Sequence, residues 1–186
     1  MSYRGADWLD RSDRDVREQP EHVLDVLDVP EGGVVADVGA GTGYFSLRLA
    51  RRVGPTGEVL ATELQPEMLA LLRGRIAEAG ATNIVPVLAS PDDAKLPIGR
   101  VDLILMVDVY HELPDPHGTL AQLRSALRPN GRVALVEYRA EDPELAIKPE
   151  HKMTLAQIRK ELEGAGLVFV TSDESLPDQR IVVFRR

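Results

Sequence analysis

Short apolar runs alternate with amphipathic stretches along almost the whole chain. Apolar runs of four to seven residues, bounded by glycine, proline or charged residues, are typical of buried β-strands. They lie at positions 34–38, 58–63, 84–88, 101–107, 132–138, 167–171 and 181–184. Between them, apolar residues recur at helical spacing at positions 20–29, 44–53, 66–79, 116–127 and 154–165.

This alternation predicts an α/β fold. Continuously apolar strands indicate a parallel sheet that is covered by helices on both faces. The last two apolar runs have no helix between them, so they should form an antiparallel hairpin. We therefore expect a Rossmann-like, doubly wound, seven-stranded sheet, mostly parallel with an antiparallel C-terminal edge hairpin.

The length of 186 residues fits one domain. We expect a single domain over 1–186, with an N-terminal helical segment at 1–29 and a Rossmann-like core at 30–186. Trp8 stands in the N-terminal segment, which either closes over a pocket as a lid or packs into the core.

Composition and charge exclude several function classes. The net charge is −8, which disfavours binding to nucleic acid or to an anionic membrane surface. No apolar run reaches the roughly 18 residues of a transmembrane helix, and the N-terminus lacks the apolar centre of a signal peptide. Because the chain has no cysteine, disulfides, cysteine-ligated zinc and thiol catalysis are excluded. We expect a cytoplasmic protein.

Residues 37–45 read DVGAGTGYF and connect the first predicted strand to a helix. In this context the glycines indicate a ligand loop, because glycine lets the backbone turn sharply and approach a ligand closely. A nucleoside-triphosphate loop requires a lysine that is absent here, and a dinucleotide loop requires glycine where Tyr44 stands. A structural loop without a ligand is the remaining alternative. Glu63 ends the second strand, where a carboxylate can bind ribose hydroxyls, so loop and acid together predict a nucleoside site.

The D-x-G-x-G-x-G pattern, with an acid closing strand two, resembles the class I S-adenosylmethionine-dependent methyltransferases. The similarity covers about residues 20–186 and includes LRPNGRVALVEY at 127–138 and the acidic segment DDAKLP at 92–97. Methyltransferases of quinone biosynthesis are similar in segments. The resemblance implies S-adenosylmethionine as the cofactor, and its lack of phosphate agrees with the missing lysine.

The resemblance also implies which residues bind the cofactor. Asp37 would act near the methionine moiety, Glu63 would bind the ribose, and either Asp92 or Asp93 would bind the adenine amino group. The implied cofactor-binding set is Asp37, Gly39, Ala40, Gly41, Gly43, Glu63, Leu64, Asp92, Asp93 and Asp108.

The methyl acceptor should lie beyond the end of strand four, where the chain reads VDVYHELPDPH. Tyr110 and His111 are the candidate catalytic residues, with His111 as a general base because imidazole exchanges protons near neutrality. Glu112 could orient His111. The alternative is that these residues only cap the strand and the following helix. The long connection at 137–153 is a second candidate acceptor region.

No metal site is expected. Some members of this class place a divalent ion between an aspartate after strand four and an Asp-Asn pair after strand five. Asp108 fits the first position, but Glu137 and Tyr138 do not fit the second, and His111 and His117 look isolated.

The sequence therefore predicts methyl transfer to a small-molecule acceptor by in-line displacement. The alternatives are a protein methyltransferase and a non-catalytic binder of S-adenosylmethionine or a nucleotide. Expected partners are a small molecule and, as a candidate assembly, a second copy of the chain, with no nucleic acid and no membrane.

Overall fold

The computed structural model describes residues 3–186. The α-helices in that range are α1 (Ala6–Leu9), α2 (Arg14–Glu18), α3 (Pro20–Leu27), α4 (Tyr44–Val53), α5 (Pro66–Ala79), α6 (Pro116–Ala126) and α7 (Leu155–Gly164). The strands are β1 (Val34–Val38), β2 (Glu58–Glu63), β3 (Ile84–Leu88), β4 (Val101–Val107), β5 (Leu127–Arg139), β6 (Lys152–Met153), β7 (Val168–Asp173) and β8 (Gln179–Arg185). Single 3₁₀ turns occur at Tyr3–Gly5, Tyr110–Glu112 and Pro149–His151.

The strands form one sheet in the order β3-β2-β1-β4-β5-β8-β7. The first five strands of this order are parallel, and β8 is antiparallel to both β5 and β7. The mostly parallel sheet with an antiparallel C-terminal hairpin is thus confirmed, and its path contains the seven predicted strands. The additional strand β6 pairs with β5 over two residues, which is too short to leave a pattern in the sequence.

Some element bounds differ from the prediction. β5 begins at Leu127 instead of 132, because Leu127 already pairs with Val101 of β4, ahead of a shift in register to the pair of Leu103 and Arg132. Asn130 takes a positive φ of 70° in this irregular stretch. α3 ends at Leu27 instead of 29, because Asp28 adopts the left-handed conformation that terminates a helix.

Helices cover both faces of the sheet, as the apolar strands predicted. α3, α4 and α5 bury their apolar sides in one core cluster, and α6 and α7 bury theirs in another. Neighbouring residues of β1 point to opposite clusters, with Val35 in the first and Ala36 in the second. The central strands are therefore dry on both sides, and their carboxyl ends provide the exposed edge at which a ligand can bind.

The N-terminal segment lies against that edge. Asp10 accepts a hydrogen bond from the hydroxyl of Thr42 at 3.0 Å and pairs with Arg75 at 2.8 Å. Arg14 and Glu18 form a buried ion pair at 2.8 Å. Among the described residues, every helix is too short or too polar to cross a lipid bilayer.

Candidate functional site

A cavity of about 630 Å³, called the main cavity below, lies at the carboxyl ends of β1, β2, β4 and β5. It contains the point at which the strand order reverses between β1 and β4, where open α/β sheets usually bind ligands. Trp8, Leu9 and Arg11 of the N-terminal segment line its roof, and Ala146 and Ile147 of the loop after β5 line another wall. Its volume suits a nucleoside-sized ligand together with a small second molecule.

The glycine loop after β1 forms part of this cavity. Gly39, Gly41 and Gly43 all have positive φ values of 76°, 57° and 89°, a conformation that favours glycine. A Cβ on Gly39 would also lie 2.5 Å from Cγ2 of Val109, so a side chain does not fit there. Gly39 and Gly41 line the cavity, whereas Ala40 and Gly43 do not. The loop therefore presents backbone to the cavity at two of its four predicted positions.

Glu63 connects the glycine loop to the end of β2. One carboxylate oxygen accepts a hydrogen bond from the N–H of Gly41 at 3.1 Å, and the other accepts from Leu64 and Gln65 at 2.7 and 3.0 Å. The side chain is 8% exposed and lines the cavity, as does Leu64. Glu63 thus holds the loop in place and offers its carboxylate to a ligand at the same time.

Asp37 lies behind the loop, outside the cavity lining. Its carboxylate accepts a hydrogen bond from the hydroxyl of Ser46 at 2.6 Å and is almost fully buried. Burial raises the pKa of Asp37 to about 6, although the bond from Ser46 and the charge of Arg14 oppose this shift. Asp37 therefore connects β1 to α4 beneath the ligand loop.

Asp92 and Asp93 also lie outside the cavity lining. The carboxylate of Asp93 accepts from the backbone N–H and the ammonium group of Lys95, at 2.8 and 2.6 Å, and Asp92 is exposed. Their segment reaches the cavity through Ser90, Pro91 and Ala94 instead.

Asp108 follows β4 and faces the cavity. It has a positive φ of 53°, and its carboxylate accepts from the side-chain amide of Gln179 at 2.8 and 2.9 Å. Burial, together with the nearby carboxylate of Glu137, raises the pKa of Asp108 well above its ordinary value. A neutral Asp108 would offer a hydrogen-bond donor to the cavity.

Tyr110 is turned away from the main cavity. Its hydroxyl donates to Glu161 of α7 at 2.7 Å, and its ring packs in the core cluster beneath α6 and α7. Burial and the Glu161 carboxylate raise the pKa of Tyr110. The structure thus separates the two residues that the sequence grouped as catalytic.

His111 points into the cavity and belongs to a chain of three side chains. Its Nδ1 lies 2.7 Å from a carboxylate oxygen of Glu137, and its Nε2 lies 2.9 Å from Nδ1 of His151. Glu137 is fully buried and also accepts from the backbone N–H of Tyr110 at 2.9 Å. Because the carboxylate of Glu137 accepts a hydrogen bond, it favours the tautomer of His111 with the proton on Nδ1, in which the lone pair of Nε2 faces His151 and the cavity.

Glu137 is thus the orienting partner of His111, in place of Glu112, whose carboxylate lies 4.0 Å from Nε2. A signal for Glu137 exists in the sequence, because a glutamate at the end of an otherwise apolar strand is rarely buried without a partner. No local sequence pattern indicates the contact between His111 and His151.

The loop after β5 contributes Lys148 and His151 to the cavity. Lys152 has a structural role instead, since its ammonium group donates to the carbonyls of Asp142 and Leu145 at 3.2 and 2.6 Å. His111, Glu112 and His151 are the described residues that are placed to hold a metal ion together.

Comparison with known proteins gives a family model, a curated relative and solved structures that are similar to this chain. A family model described as "Methyltransferase domain" matches residues 36–133, which is more than half of the chain. The ubiquinone/menaquinone biosynthesis C-methyltransferase UbiE of Burkholderia mallei is 30% identical over 111 residues, which cover 60% of this chain and 45% of that protein. The chain therefore matches less than half the length of this curated relative.

Two solved structures share the fold over nearly the whole chain. A SAM-dependent methyltransferase from Aquifex aeolicus has a TM-score of 0.94 and 26% identity, with coverage of 100% of this chain and 98% of that one. A methyltransferase of Haloferax volcanii, solved in complex with its Trm112 activator, has a TM-score of 0.77 and 20% identity, with coverage of 98% and 96%.

Proposed function

The chain belongs to the methyltransferase-domain family, whose class I members use S-adenosylmethionine, and from this premise we propose that it transfers the methyl group of that cofactor to a small molecule. The observation that carries the proposal is that Glu63 and the glycine loop face the same cavity of about 630 Å³ as His111. Glu63 and the glycine loop then suit the nucleoside, and the surroundings of His111 suit an acceptor.

Cofactor binding would use residues at and after the carboxyl ends of β1 and β2. We propose that Glu63 binds the ribose, that Gly39 and Gly41 contact the methionine part through their backbone, and that Met68 flanks the adenine. Asp37 acts indirectly by supporting the loop. The adenine amino group would meet backbone or Ser90 in the segment after β3, because the carboxylates of that segment lie outside the cavity lining.

The transfer step is an in-line displacement. When bound, S-adenosylmethionine would supply a methyl group on a sulfonium leaving group, so attack by the acceptor atom on the methyl carbon would leave the electron pair of the broken bond on sulfur and release S-adenosylhomocysteine. The cavity positions the acceptor about 3–3.5 Å from the methyl group. A proton on the acceptor passes to the His111–His151 pair, and the carboxylate of Glu137 stabilises the resulting imidazolium.

Support for a small acceptor is the cavity volume of about 630 Å³ and the similarity to a quinone-biosynthesis C-methyltransferase. A protein acceptor and a non-catalytic S-adenosylmethionine binder are the competing proposals. Cytoplasmic location, a single domain and a homodimer stay predictions.

Titration calorimetry with S-adenosylmethionine, S-adenosylhomocysteine and NAD tests the cofactor. We expect binding of the first two and none of NAD, and binding of NAD alone would refute the proposal. Release of S-adenosylhomocysteine with pooled small-molecule acceptors then tests transfer. Cofactor binding with turnover only on protein acceptors, or with none, would replace this proposal by one of its competitors.

A further inference from the structure

We propose that His111, Glu112 and His151 form a binding site for one divalent transition-metal ion of the zinc type. One ligand atom of each residue lies within 4.8 Å of the other two. All three residues line the main cavity. The inference does not rest on methyl transfer, because it concerns metal affinity alone.

The two ring nitrogens already face each other at nearly the spacing of metal ligands. Nε2 of His111 and Nδ1 of His151 are 2.9 Å apart. Nitrogens bound to one tetrahedral zinc ion at about 2.0–2.1 Å are separated by about 3.3 Å. A small outward shift of His151, which lies in a loop, opens the pair enough to admit the ion.

Glu112 supplies the third ligand. Its Oε1 lies 4.0 Å from Nε2 of His111, and its side chain is 37% exposed. A partly exposed side chain can change rotamer at modest cost, so the carboxylate can approach the ion by rotation about its own bonds.

Glu137 supports the metal ligand His111 without binding the ion itself. Its carboxylate lies 2.7 Å from Nδ1 of His111, so it fixes the ring and leaves Nε2 as the ligand atom. A histidine that binds a metal commonly donates its other N–H to a carboxylate in this way. Within residues 3–186, the one ion-pair partner of the fully buried Glu137 is His111. A cation near His111 would offset this buried negative charge.

The ligand types select the class of metal. Two imidazoles and one carboxylate suit zinc, cobalt, nickel or iron in the divalent state, whereas magnesium and calcium prefer oxygen ligands. The three ligands leave coordination positions open toward the cavity. An oxygen or sulfur atom of an acceptor can take such a position, and its proton is then lost to water more readily. Nε2 of His111 binds either the ion or a proton, so His111 can act as a base only in the metal-free protein.

Titration of the chelator-treated full chain with Zn²⁺ by calorimetry, and with Co²⁺ by visible absorption, tests the site. We expect one ion per chain and the absorption bands of a low-coordinate Co²⁺ centre. His111→Ala, His151→Ala and Glu112→Ala should each weaken Zn²⁺ binding at least tenfold. Glu137→Gln should weaken it about 10–100-fold, because this change alters only the support of a ligand.

The matched control is His117→Ala, which removes an exposed histidine of α6 outside the cluster and should leave Zn²⁺ affinity unchanged. Thermal unfolding without metal checks that each variant is folded. If His111→Ala does not fold, His151→Ala still tests the site, because His151 lies in the connection after β5. Absence of stoichiometric binding, or binding that survives His111→Ala combined with His151→Ala, would overturn the proposal. Binding of S-adenosylhomocysteine to the same variants is read separately, so failure of the metal site leaves the proposed function intact.

Discussion

A carboxylate oxygen of Glu63 accepts a hydrogen bond from the N–H of Gly41 at 3.1 Å, which joins the end of β2 to the ligand loop after β1. The same carboxylate accepts from two N–H groups at the start of the next turn. The acid is therefore part of the loop's support as well as part of the cavity wall.

Glu63→Ala should weaken S-adenosylhomocysteine binding by about 10–100-fold. A hydrogen bond to a charged group contributes roughly 1.5–3 kcal/mol, which corresponds to that range of affinity. Glu67→Ala, an exposed glutamate in the first turn of α5, is the matched control and should bind as tightly as the unchanged chain. Titration calorimetry measures the affinity of both variants for S-adenosylhomocysteine. Equal affinities would show that Glu63 does not bind the ribose.

Gly39→Ala should destabilise the protein and abolish measurable cofactor binding. The new Cβ would meet Val109 at 2.5 Å, and the residue would keep a positive φ that disfavours alanine. Gly74→Ala is the control, because this glycine lies within α5 and a Cβ there meets no atom within 4 Å. It should raise the unfolding free energy by about 0.5–1 kcal/mol. Urea unfolding measures the unfolding free energy of each variant, and equal changes in the two variants would contradict this prediction.

Asp37→Asn should change how stability depends on pH. Because burial raises the pKa of Asp37 from 3.8 in the unfolded chain to about 6, the protonated form is favoured in the folded state. This contribution is fully present below the unfolded pKa and is lost as the pH rises through 6. Relative to Asp37→Asn, the unchanged chain should therefore lose roughly 3 kcal/mol of unfolding free energy between about pH 3 and pH 8.

Urea unfolding of both proteins across this pH range measures the difference, in which shared titrating groups cancel. A difference that stays constant with pH would mean that Asp37 is ionised in the folded state as easily as in the unfolded chain.

Tyr110→Phe should lower the unfolding free energy by about 1–2 kcal/mol, since it removes the hydroxyl that donates to Glu161 at 2.7 Å. Affinity for S-adenosylhomocysteine should not change, because the hydroxyl lies outside the main cavity. Tyr3→Phe, at an exposed position, is the control for stability. A fall in turnover of more than tenfold without a loss of stability would support the catalytic role that the sequence predicts for Tyr110.

Cofactor binding should shift the fluorescence of Trp8 to shorter wavelength. Trp8 is the one tryptophan of the chain, lines the cavity and is 53% exposed, so closure of the N-terminal segment would remove water from its ring. Emission spectra with and without saturating S-adenosylhomocysteine measure this. Unchanged emission at proven saturation would show that the segment does not close over the ligand.

Local patterns allowed most of the fold and half of the site to be predicted. Strands of four or more residues and the glycine loop are recognisable because hydrophobic periodicity and backbone freedom are properties of neighbouring residues. The position of Glu63 follows from the same pattern, since it closes a strand that adjoins the loop. Asp92 and Asp93 were less predictable, because an acidic segment in the sequence does not indicate which of its groups turn inward.

The sequence by itself determined the order of strands and helices along the chain and the positions of the glycine loop and Glu63. The arrangement around His111 was decided only by the tertiary structure. Tyr110 and His111 are neighbours in a 3₁₀ turn, where successive side chains diverge by about 120°, so one enters the core and the other the cavity. His111 meets Glu137 and His151 across 26 and 40 residues. Contacts over such separations depend on how the sheet brings strand ends together, and no local pattern encodes them.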